Sequence, residues 1–336
     1  MERFYLGVLQ DFLTIYQQLD SGAGFHTVED LLTSMGPEMM SLTRVSLQDH
    51  LLSLGIQQET ISHVVSAATK FNYGQLPGAV HSLLGAISLI GFDKQLWAVG
   101  GGNQQVCHCA LSKSGARLVN TSVSAVERVG GAGGFKVVTD SEEAEAEQYF
   151  DVVIVAAPLT KDKSSLQLRG LETLTTPGLY HRTVSTLVRG QLNLTTLGVT
   201  EDHHSTSHYI FVSGEVPFWS VELMTPVDYD PDSDEELVPV YRLFSHSPLS
   251  QDTISAVFSS VLSVTEEDWL AYPLYSTNDD FSTFQPSPGL FYLNRIEWAA
   301  SAMEMSVIGA KNVVNLVRSY LNRSDYHQPQ PVRSEL

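Results

Sequence analysis

Hydrophobic side chains at the amino terminus recur at the spacing of an α-helix. The apolar positions follow one face and are interrupted by Glu2, Asp11 and Asp20. This pattern predicts an amphipathic helix. It excludes a signal peptide or membrane span here, because the stretch has neither a basic head nor an uninterrupted apolar core. No other stretch of the chain is apolar for long enough to predict a transmembrane segment.

Two further helices are indicated by their end residues. Thr27 and Ser46 each stand three positions before an aspartate, which is the spacing of a side-chain cap, and glycines close the segments at Gly36 and Gly55. The segment at 58–74 continues with apolar residues at helical spacing. The sequence therefore predicts a mostly helical region that ends near residue 95.

Strand patterns follow the helical region. Two alternating runs at 116–129 and 135–141 are joined by a glycine-rich segment at 130–134, which predicts a hairpin. The run YFDVVIVAAPL at 149–159 is unbroken and rich in β-branched residues, so we expect a strand covered on both faces and ended by Pro158.

The later chain is strand-rich and ends in a strand that runs into one long helix. RTVSTLVRGQLNL, YIFVSG, FWSVELMT and VPVYRLFSH are the predicted strands of this region. A chain that leaves an α/β unit and returns to it is typical of a domain with an insertion. The predicted fold class is α/β plus α+β, with boundaries at 1–95, 96–165, 166–285, 286–322 and a tail at 323–336.

Charge excludes one class of partner. The 336 residues include 38 acidic and 19 basic side chains, for a formal net charge of -19. Such a field repels the phosphates of nucleic acids and anionic lipid headgroups, so nucleic acid is not an expected partner. The acidic surface also fits an acidic compartment, although many cytosolic proteins share this property.

Patterns for metal binding are weak, and we predict no metal site. Cys107 and Cys109 lack a second Cys/His pair at zinc spacing, which favours two reduced, buried thiols over a metal ligand pair. The acidic loop at 228–237 lacks the glycine and glutamate of a calcium loop. The histidine cluster at 203–208 surrounds a Ser-Thr-Ser run that is typical of a loop or strand.

Two glycine-rich segments are candidates for a cofactor site. The segment at 130–135 fails the dinucleotide-binding pattern, because Lys136 stands at the third glycine position and a strand follows where a helix is needed. Gly100, Gly101 and Gly102 precede Asn103 at a passage from strand to helix. These glycines fit either the close approach of a ligand or an ordinary tight turn.

A final segment, GLFYLNRIEWAASAMEMSVIGAKNVVNL, joins a short apolar strand to a helix through small side chains. It resembles the carboxy-terminal cofactor signature of flavin amine oxidases. Glu297, Met303, Glu304 and Val307 stand at matching positions, and Arg295 stands at the usual glycine. Together with LWAVGGGNQQVC, YFDVVIVAAPL, STLVRGQLN and WLAYPLY, the segment makes the chain similar to the prenylcysteine oxidase family from end to end.

The resemblance implies an FAD-dependent thioether oxidase. The implied reaction is oxidative cleavage of farnesyl- or geranylgeranyl-cysteine by O2 and water, which gives a prenyl aldehyde, cysteine and hydrogen peroxide. The family pattern also includes a leader and a G-x-G-x-x-G strand, and we expect this form to lack both. Two alternatives stay open, a noncatalytic member that binds prenyl or other apolar ligands and an incomplete gene prediction.

The resemblance also implies roles for individual residues. The residues implied to border the cofactor are Gly101, Gly102, Asn103, Val123, Ala156, Ala157, Asn294, Arg295, Ile296, Glu297, Ala300 and Met303. Glu297 and Glu304 are candidates for a catalytic base by position alone. The residues expected to line an apolar tunnel for the prenyl tail are Val184, Leu187, Phe211 and Phe218. In the competing interpretation, the alanines at 299–302 only pack a helix.

Domain roles and localisation follow from the same resemblance. Segments 96–165 and 286–322 would form an incomplete amine-oxidase-like FAD domain, and 1–95 with 166–285 an inserted substrate domain of helices and a mixed antiparallel sheet. The family is lysosomal, and the candidate glycosylation sites are Asn120, Asn193 and Asn322. Without a leader in this sequence, the cytosol is the alternative location.

Overall fold

The computed structural model describes residues 1–90, 97–130, 134–140, 147–171, 178–198, 209–211, 216–227 and 238–324. The α-helices are α1 (Glu2–Asp20), α2 (Val28–Met35), α3 (Met39–Leu42), α4 (Leu47–Ser53), α5 (Gln58–Thr60), α6 (Ser66–Tyr73), α7 (Ser82–Ile90), α8 (Gln104–Ser114), α9 (Gln251–Val257) and α10 (Met303–Ser324). A π-helical turn, Ile61–Val65, joins α5 to α6, and 3₁₀ helices occupy Leu194–Leu197 and Leu293–Trp298.

The strands of the described residues form three sheets. They are β1 (Val123–Arg128), β2 (Phe135–Thr139), β3 (Glu147–Phe150), β4 (Val153–Val155), β5 (Gln167–Arg169), β6 (Tyr180–Leu192), β7 (Tyr209–Phe211), β8 (Phe218–Met224), β9 (Val240–Ser245), β10 (Phe258–Pro273) and β11 (Leu290–Tyr292). The orders are β3-β2-β1-β5, β10-β6-β9-β8-β7 and β11-β4. The first sheet is antiparallel except for β1 with β5, the second is antiparallel, and the third is parallel.

The amino-terminal helix confirms the predicted amphipathic pattern. Val8, Phe12, Ile15 and Leu19 are buried on one face of α1, which contacts α2, α7 and α10. No helix among the described ranges has both the length and the hydrophobicity to cross a membrane.

The predicted caps are also present. The Thr27 hydroxyl accepts a hydrogen bond from the Asp30 backbone N–H at 2.9 Å, and the Asp30 carboxylate accepts one from the Thr27 N–H at 3.3 Å. The Ser46 hydroxyl caps α4 by accepting from the Asp49 N–H at 3.0 Å, and it donates to the Asp49 carboxylate at 2.7 Å. The caps satisfy donors that the first helical turn leaves open, and the bonds are reciprocal with the backbone only at Thr27 and Asp30.

The predicted strands are present, with one important correction. The hairpin β1–β2 pairs Arg128 with Phe135, and β6, β7, β8 and β9 match the predicted runs. The run at 149–159 is not a single strand covered on both faces, so that prediction is wrong. It divides at Asp151 into β3 and β4, which belong to different sheets, and the side chains of Tyr149 and Ile154 are exposed. The long strand β10 was not predicted, because its mostly exposed side chains follow no buried alternation.

The prediction of buried thiols is wrong as well. Cys107 and Cys109 are free, as expected, but both lie exposed on α8, a helix with no buried residue. Its apolar side chains, such as Val106, do not reach the core. The acidic loop 228–237, the histidine cluster 203–208, residues 131–133 of the glycine-rich segment and 325–336 of the tail lie outside the described residues.

The largest hydrophobic core joins the two ends of the chain. Side chains of α1, α2, α4 and α7 pack with Ile296, Trp298, Ala299 and Ala300 and with the buried face of α10. Asn312 of α10 adds hydrogen bonds to both backbone groups of Phe25. The packing therefore fixes the segment between β11 and α10 against the amino-terminal helices.

Candidate functional site

The candidate site lies where two parallel strands end. β4 pairs with β11 so that Val155 is opposite Tyr292, and both strands run toward the same edge. Ala156 and Ala157 leave β4 at this edge, and the 3₁₀ helix Leu293–Trp298 leaves β11 there. We call residues 293–302 the junction. The carboxyl ends of parallel strands are where open α/β sheets bind ligands.

Glu297 is the most highly connected side chain of the junction. Its carboxylate accepts hydrogen bonds from the Tyr180 phenol at 2.5 Å, the Asn294 amide at 3.1 Å and the Ser301 hydroxyl at 3.0 Å. Burial, followed by the charge of Glu297, raises the pKa of Tyr180, so the phenol keeps its proton and donates it. The carboxylate is therefore held in one orientation by donors from β6 and from both ends of the junction.

Two further side chains fix the junction backbone. The Tyr275 hydroxyl donates to the Glu297 carbonyl at 3.2 Å and accepts from the Ser301 N–H at 2.8 Å. His81 is fully buried beside the Trp298 carbonyl, 3.3 Å from its Nε2, while its Nδ1 accepts from the Leu84 N–H at 3.2 Å. The Nε2 atom therefore carries the proton, and burial lowers the pKa of His81 to about 4.

The other residues predicted at the junction have different surroundings. Ala299 and Ala300 are fully buried in the largest core, so their small side chains serve the packing of the junction against the helices. Met303 is exposed. Glu304 is exposed on α10 and accepts a hydrogen bond from the Tyr16 phenol of α1. The two glutamates considered as bases thus lie in separate hydrogen-bond networks.

A groove with a cavity volume of about 660 Å³ opens beside the strand ends. Val123, Ala156 and Ala157, which were predicted to border the cofactor, line this groove. Its other walls are mainly apolar side chains of the two adjacent sheets, including Val126 and Phe150, and Lys163 contributes a positive charge. The groove can therefore accept a flat apolar ring system with a nearby anionic group.

Gly101, Gly102 and Asn103 lie apart from the residues that line this groove. Both glycines have positive φ angles, +77° and +91°, in the turn before α8. A Cβ atom at Gly102 would meet nothing within 4 Å, so this backbone is open to approach. Asn103 is exposed and stands at the start of α8 without a side-chain capping bond.

The four predicted tunnel residues lie on strands of one sheet. Val184 is buried on β6, and Leu187 on the same strand is half-buried. Phe211 lies on β7, and Phe218 on β8 lines a cavity of about 310 Å³ with Trp219 and His246 among others. The structure thus brings Phe218 to a cavity and leaves Val184 within the sheet packing.

Several functional candidates were missed by reasoning from the sequence. Tyr180, Tyr275 and His81 contact the junction from distant segments, and no local spacing indicates such contacts. Three buried polar atoms of the junction, Asn294 Oδ1, Arg295 Nε and Trp298 Nε1, have no hydrogen-bond partner within the described part of the chain. Six other buried side-chain atoms of the described chain, among them Trp219 Nε1 and Arg242 Nε, also lack a partner, so these three atoms do not by themselves mark a binding site.

Comparison with other sequences identifies the family. A profile of the family described as prenylcysteine lyase matches residues 1–328. The protein named prenylcysteine oxidase 1-like from Mus musculus is 32% identical over 92% of this chain and 65% of its own length. Prenylcysteine oxidase 1 from Bos taurus is 30% identical over 92% of this chain and 63% of its own length. This chain thus spans about 65% of the length of such relatives.

Comparison with solved structures concerns the fold alone. Cyclohexylamine oxidase from Brevibacterium oxydans has a TM-score of 0.52 at 12% identity, covering 93% of this chain and 75% of that one. A putrescine oxidase redesigned in its cofactor binding has a TM-score of 0.55 at 11% identity, covering 92% and 75%. These two matches confirm the expected amine-oxidase-like α/β fold. With the match along 1–328, the chain belongs to the prenylcysteine lyase family.

Proposed function

We propose that this chain carries the function of a prenylcysteine oxidase, the FAD-dependent oxidative cleavage of the thioether in farnesyl- or geranylgeranyl-cysteine. The observation that carries the proposal is the hydrogen-bond network that fixes Glu297 just after β11, whose parallel neighbour β4 runs into the groove at Ala156 and Ala157. Family membership and the amine-oxidase-like fold support it.

The residues present fit part of an FAD molecule. The apolar walls formed by Val123, Ala156 and Ala157 suit the flat ring of the adenosine end, and Lys163 suits a phosphate. The open backbone at Gly102, between Gly101 and Asn103, would allow close contact. When bound, the flavin would supply the two-electron oxidation of the carbon next to sulfur.

The junction would border the flavin ring, which is the reacting end of FAD. In this assignment, the backbone of Asn294, Arg295, Ile296 and Glu297 lines the cofactor, with Ala300 behind it and Met303 at the exposed rim. The unpaired Asn294 Oδ1 is available to a donor on the bound molecule. The protein's contribution is then to hold the substrate carbon in place and to exclude water.

Glu297 is proposed as a positioning residue rather than as a base. Its oxygens already accept three hydrogen bonds, and proton abstraction would have to compete with these donors. Glu304 is engaged with Tyr16 on the outer face of α10, away from the junction network. The prenyl tail is assigned to the five-stranded sheet, near Val184, Leu187, Phe211 and Phe218.

A second candidate function is noncatalytic binding of prenyl or other apolar ligands. The observation that favours it is the complete burial of Ala299 and Ala300 in the protein core, since these small side chains were expected to leave room for a flavin ring. In this candidate function, the protein binds the apolar ligand in the groove but does not oxidise it.

Flavin content and peroxide release test the proposal. We expect the purified chain, supplied with FAD, to retain visible flavin absorbance and to release hydrogen peroxide with S-farnesyl-cysteine. Ala157→Trp should fill the groove and lower the flavin content, whereas Ala79→Trp, at another exposed alanine, should not. A colourless protein that still binds S-farnesyl-cysteine would establish the noncatalytic candidate instead.

A secretory route to the lysosome is part of this proposal, with the cytosol as the alternative. Asn120 and Asn322 are exposed, and Asn193 is half-buried. Enzymatic removal of N-linked glycans from the protein made in secreting cells should lower its mass if any of the three is used. An unchanged mass, together with retention in the cytosol, would contradict this route.

A further inference from the structure

A continuous series of aromatic rings leads away from the junction. It begins at Tyr275, whose hydroxyl bonds to the Glu297 carbonyl and the Ser301 N–H, and it ends at Trp219, which lines the cavity of about 310 Å³. The rings between them are, in order, Tyr73, Tyr272 and His181. We call these five side chains the aromatic series. It joins the end of α6 and the turn after β10 to the strands β10, β6 and β8.

Neighbouring rings of the series are in contact. The ring centroids of Tyr275 and Tyr73 are 5.6 Å apart, and those of Tyr73 and Tyr272 are 5.4 Å apart. His181 stacks on Tyr272 at 5.4 Å and meets Trp219 edge to face at 5.9 Å. These are the distances of direct ring packing. Because electron tunnelling weakens steeply with the gap between donor and acceptor, rings in contact exchange electrons faster than rings separated by aliphatic side chains or solvent.

The composition of the series suits the transfer of single electrons. Tyrosine and tryptophan lose one electron more readily than the other side chains that carry rings. Tyr73, Tyr275 and Trp219 are all buried, so a radical on one of them is shielded from O2 and water. His181 is harder to oxidise, and it is the contact that links Tyr272 to Trp219.

Tyr272 has a partner that can take its proton. Burial raises the pKa of Tyr272 to about 12, so it is a neutral phenol whose oxidation must release a proton. The Thr183 hydroxyl lies 3.4 Å from the Tyr272 oxygen and 3.0 Å from His181 Nδ1. A hydroxyl both donates and accepts, so Thr183 can take the phenol proton while its own passes to Nδ1. Burial, followed by the charge of His246, lowers the pKa of His181 to about 4, so the imidazole is neutral and able to accept.

The other oxidisable members of the series have no such base. The hydroxyls of Tyr73 and Tyr275 donate to backbone carbonyls of the junction, which are too weakly basic to take the proton. The Trp219 Nε1–H has no acceptor within the described part of the chain, so an oxidised indole keeps its proton. Tyr272 is therefore the easiest residue of the series to oxidise.

We propose that the aromatic series conducts single oxidising equivalents between the junction and the cavity at Trp219, with Tyr272 as the residue on which the radical rests. The source of the oxidant rests on the function proposed above, because reduction of O2 beside the junction yields oxygen radicals when it proceeds by one electron. Such a radical gains one electron from Tyr272 by way of Tyr275 and Tyr73. The proton of Tyr272 moves through Thr183 to His181.

The lost electron is restored from the cavity. Trp219 passes one electron to Tyr272 through His181, and His181 returns the proton to the phenol. A soluble thiol or ascorbate in the cavity then reduces the indole, and the proton that it loses passes through solvent to the reduced oxygen species. One oxygen radical is reduced and one thiol or ascorbate is oxidised, while no side chain changes. The series thus protects the junction from its own oxidant.

A photosensitiser at the cavity tests the path without flavin. A ruthenium complex is attached to Ser247→Cys, in a chain that also carries Cys107→Ser and Cys109→Ser, because Ser247 is exposed and lines the cavity with Trp219. A light flash in the presence of an electron-accepting quencher makes the complex a one-electron oxidant. We expect the absorption of a tryptophanyl radical to appear first and to be replaced by that of a tyrosyl radical.

Three variants of the labelled chain identify the tyrosine and its proton relay. Tyr272→Phe keeps the ring but removes the oxidisable phenol, so most of the tyrosyl radical should be lost. Thr183→Val keeps the volume and removes the relay, so the tyrosyl radical should form more slowly. Tyr241→Phe, in the same sheet but outside the series, is the matched control and should retain the full yield. Equal tyrosyl yields in Tyr272→Phe and Tyr241→Phe, or a tryptophanyl radical that never passes to tyrosine, would overturn the proposal.

The connection to the junction is tested by mass spectrometry of oxidation products after repeated flashes. Products should reach Tyr275 in the labelled chain and should not reach it in Tyr73→Phe, which interrupts the series. Products at Tyr275 in both chains, or in neither, would overturn this connection. Radical transfer in a protein that takes up no flavin would keep the path and reject the oxidase. Flavin uptake and peroxide release without radical transfer would do the reverse.

Discussion

Tyr180 donates a hydrogen bond to Glu297 across 117 positions of sequence, with 2.5 Å between the two oxygens. The bond joins the five-stranded sheet to the junction between β11 and α10. Because β6 also pairs with β9 and β10, this phenol links the junction to a large rigid element. The orientation of Glu297 therefore depends on a residue outside the junction.

Tyr180→Phe should lower the free energy of unfolding by about 1–2 kcal/mol, since it leaves a partly buried carboxylate oxygen with fewer donors. Denaturation in urea measures this change. Tyr241→Phe is the matched control, because Tyr241 lies in the same sheet and its hydroxyl makes no hydrogen bond within the described chain, and it should cost less than about 0.5 kcal/mol. Equal losses in the two variants would show that the Tyr180 phenol contributes nothing specific.

Gly178→Ala should displace Trp298. The glycine has a φ of +99°, and an added Cβ would lie 2.2 Å from the indole, so both backbone strain and overlap result. Gly22→Ala provides the control, because Gly22 has a φ of +94° with nothing within 4 Å of the added atom. We expect Gly22→Ala to cost about 1 kcal/mol and Gly178→Ala at least about 2 kcal/mol in urea denaturation.

The environment of Trp298 gives a second measurement for this pair. The tryptophan fluorescence spectrum of the protein, to which Trp298 and three other tryptophans contribute, should shift in Gly178→Ala and stay unchanged in Gly22→Ala. The same spectrum in both proteins, together with equal stabilities, would mean that the indole is not confined by Gly178 as the structure describes.

The features that the sequence predicted are those with local causes. The cap of Thr27 with Asp30 and the buried face of α1 depend on residues within a few positions of one another, so spacing alone revealed them. The hairpin β1–β2 is similarly local. The family-specific segment around Glu297 placed the junction correctly between a strand and a helix.

Features with non-local causes were missed or mistaken. Cys107 is apolar enough to predict burial, but no other element covers α8 within the described chain. Tyr149 and Ile154 stand in one apolar run, yet Asp151 divides it between two sheets. Tyr275 reaches Ser301 from a turn after β10, and hydrogen bonds between such distant segments leave no periodic signal in the sequence.

Asn312 of α10 makes a polar contact with the segment after α1 and so holds the two ends of the chain together. Its amide oxygen accepts from the Phe25 N–H at 2.7 Å, and its amide nitrogen donates to the Phe25 carbonyl at 2.9 Å. Asn312→Leu would leave both backbone groups unpaired and should cost about 2–3 kcal/mol, measured in urea. Asn312→Asp should cost at least as much, because it buries a carboxylate and sets one of its oxygens against the Phe25 carbonyl oxygen. The exposed control Ser319→Leu should cost under about 0.5 kcal/mol.

The buried histidines make stability depend on pH in a defined direction. Burial lowers the pKa of His81 from 6.5 to about 4, and burial, followed by the charge of His246, lowers that of His181 to about 4. The unfolded chain therefore binds these protons first as pH falls. The stabilisation is fully present above pH 6.5 and is lost progressively between 6.5 and 4, by roughly 3 kcal/mol for the fully buried His81.

His81→Phe separates this titration from the rest of the protein. The variant should be less stable near pH 7, because the Trp298 carbonyl and the Leu84 N–H lose a partner, but its stability should fall less steeply between pH 6.5 and 4. His181, His50 and His246, whose pKa values burial also lowers, still titrate in this variant, so a residual slope is expected rather than none. The exposed control His63→Gln should retain the full slope. Urea denaturation at several pH values measures the slope, and identical slopes for His81→Phe and the unaltered protein would contradict a neutral, buried imidazole beneath the junction.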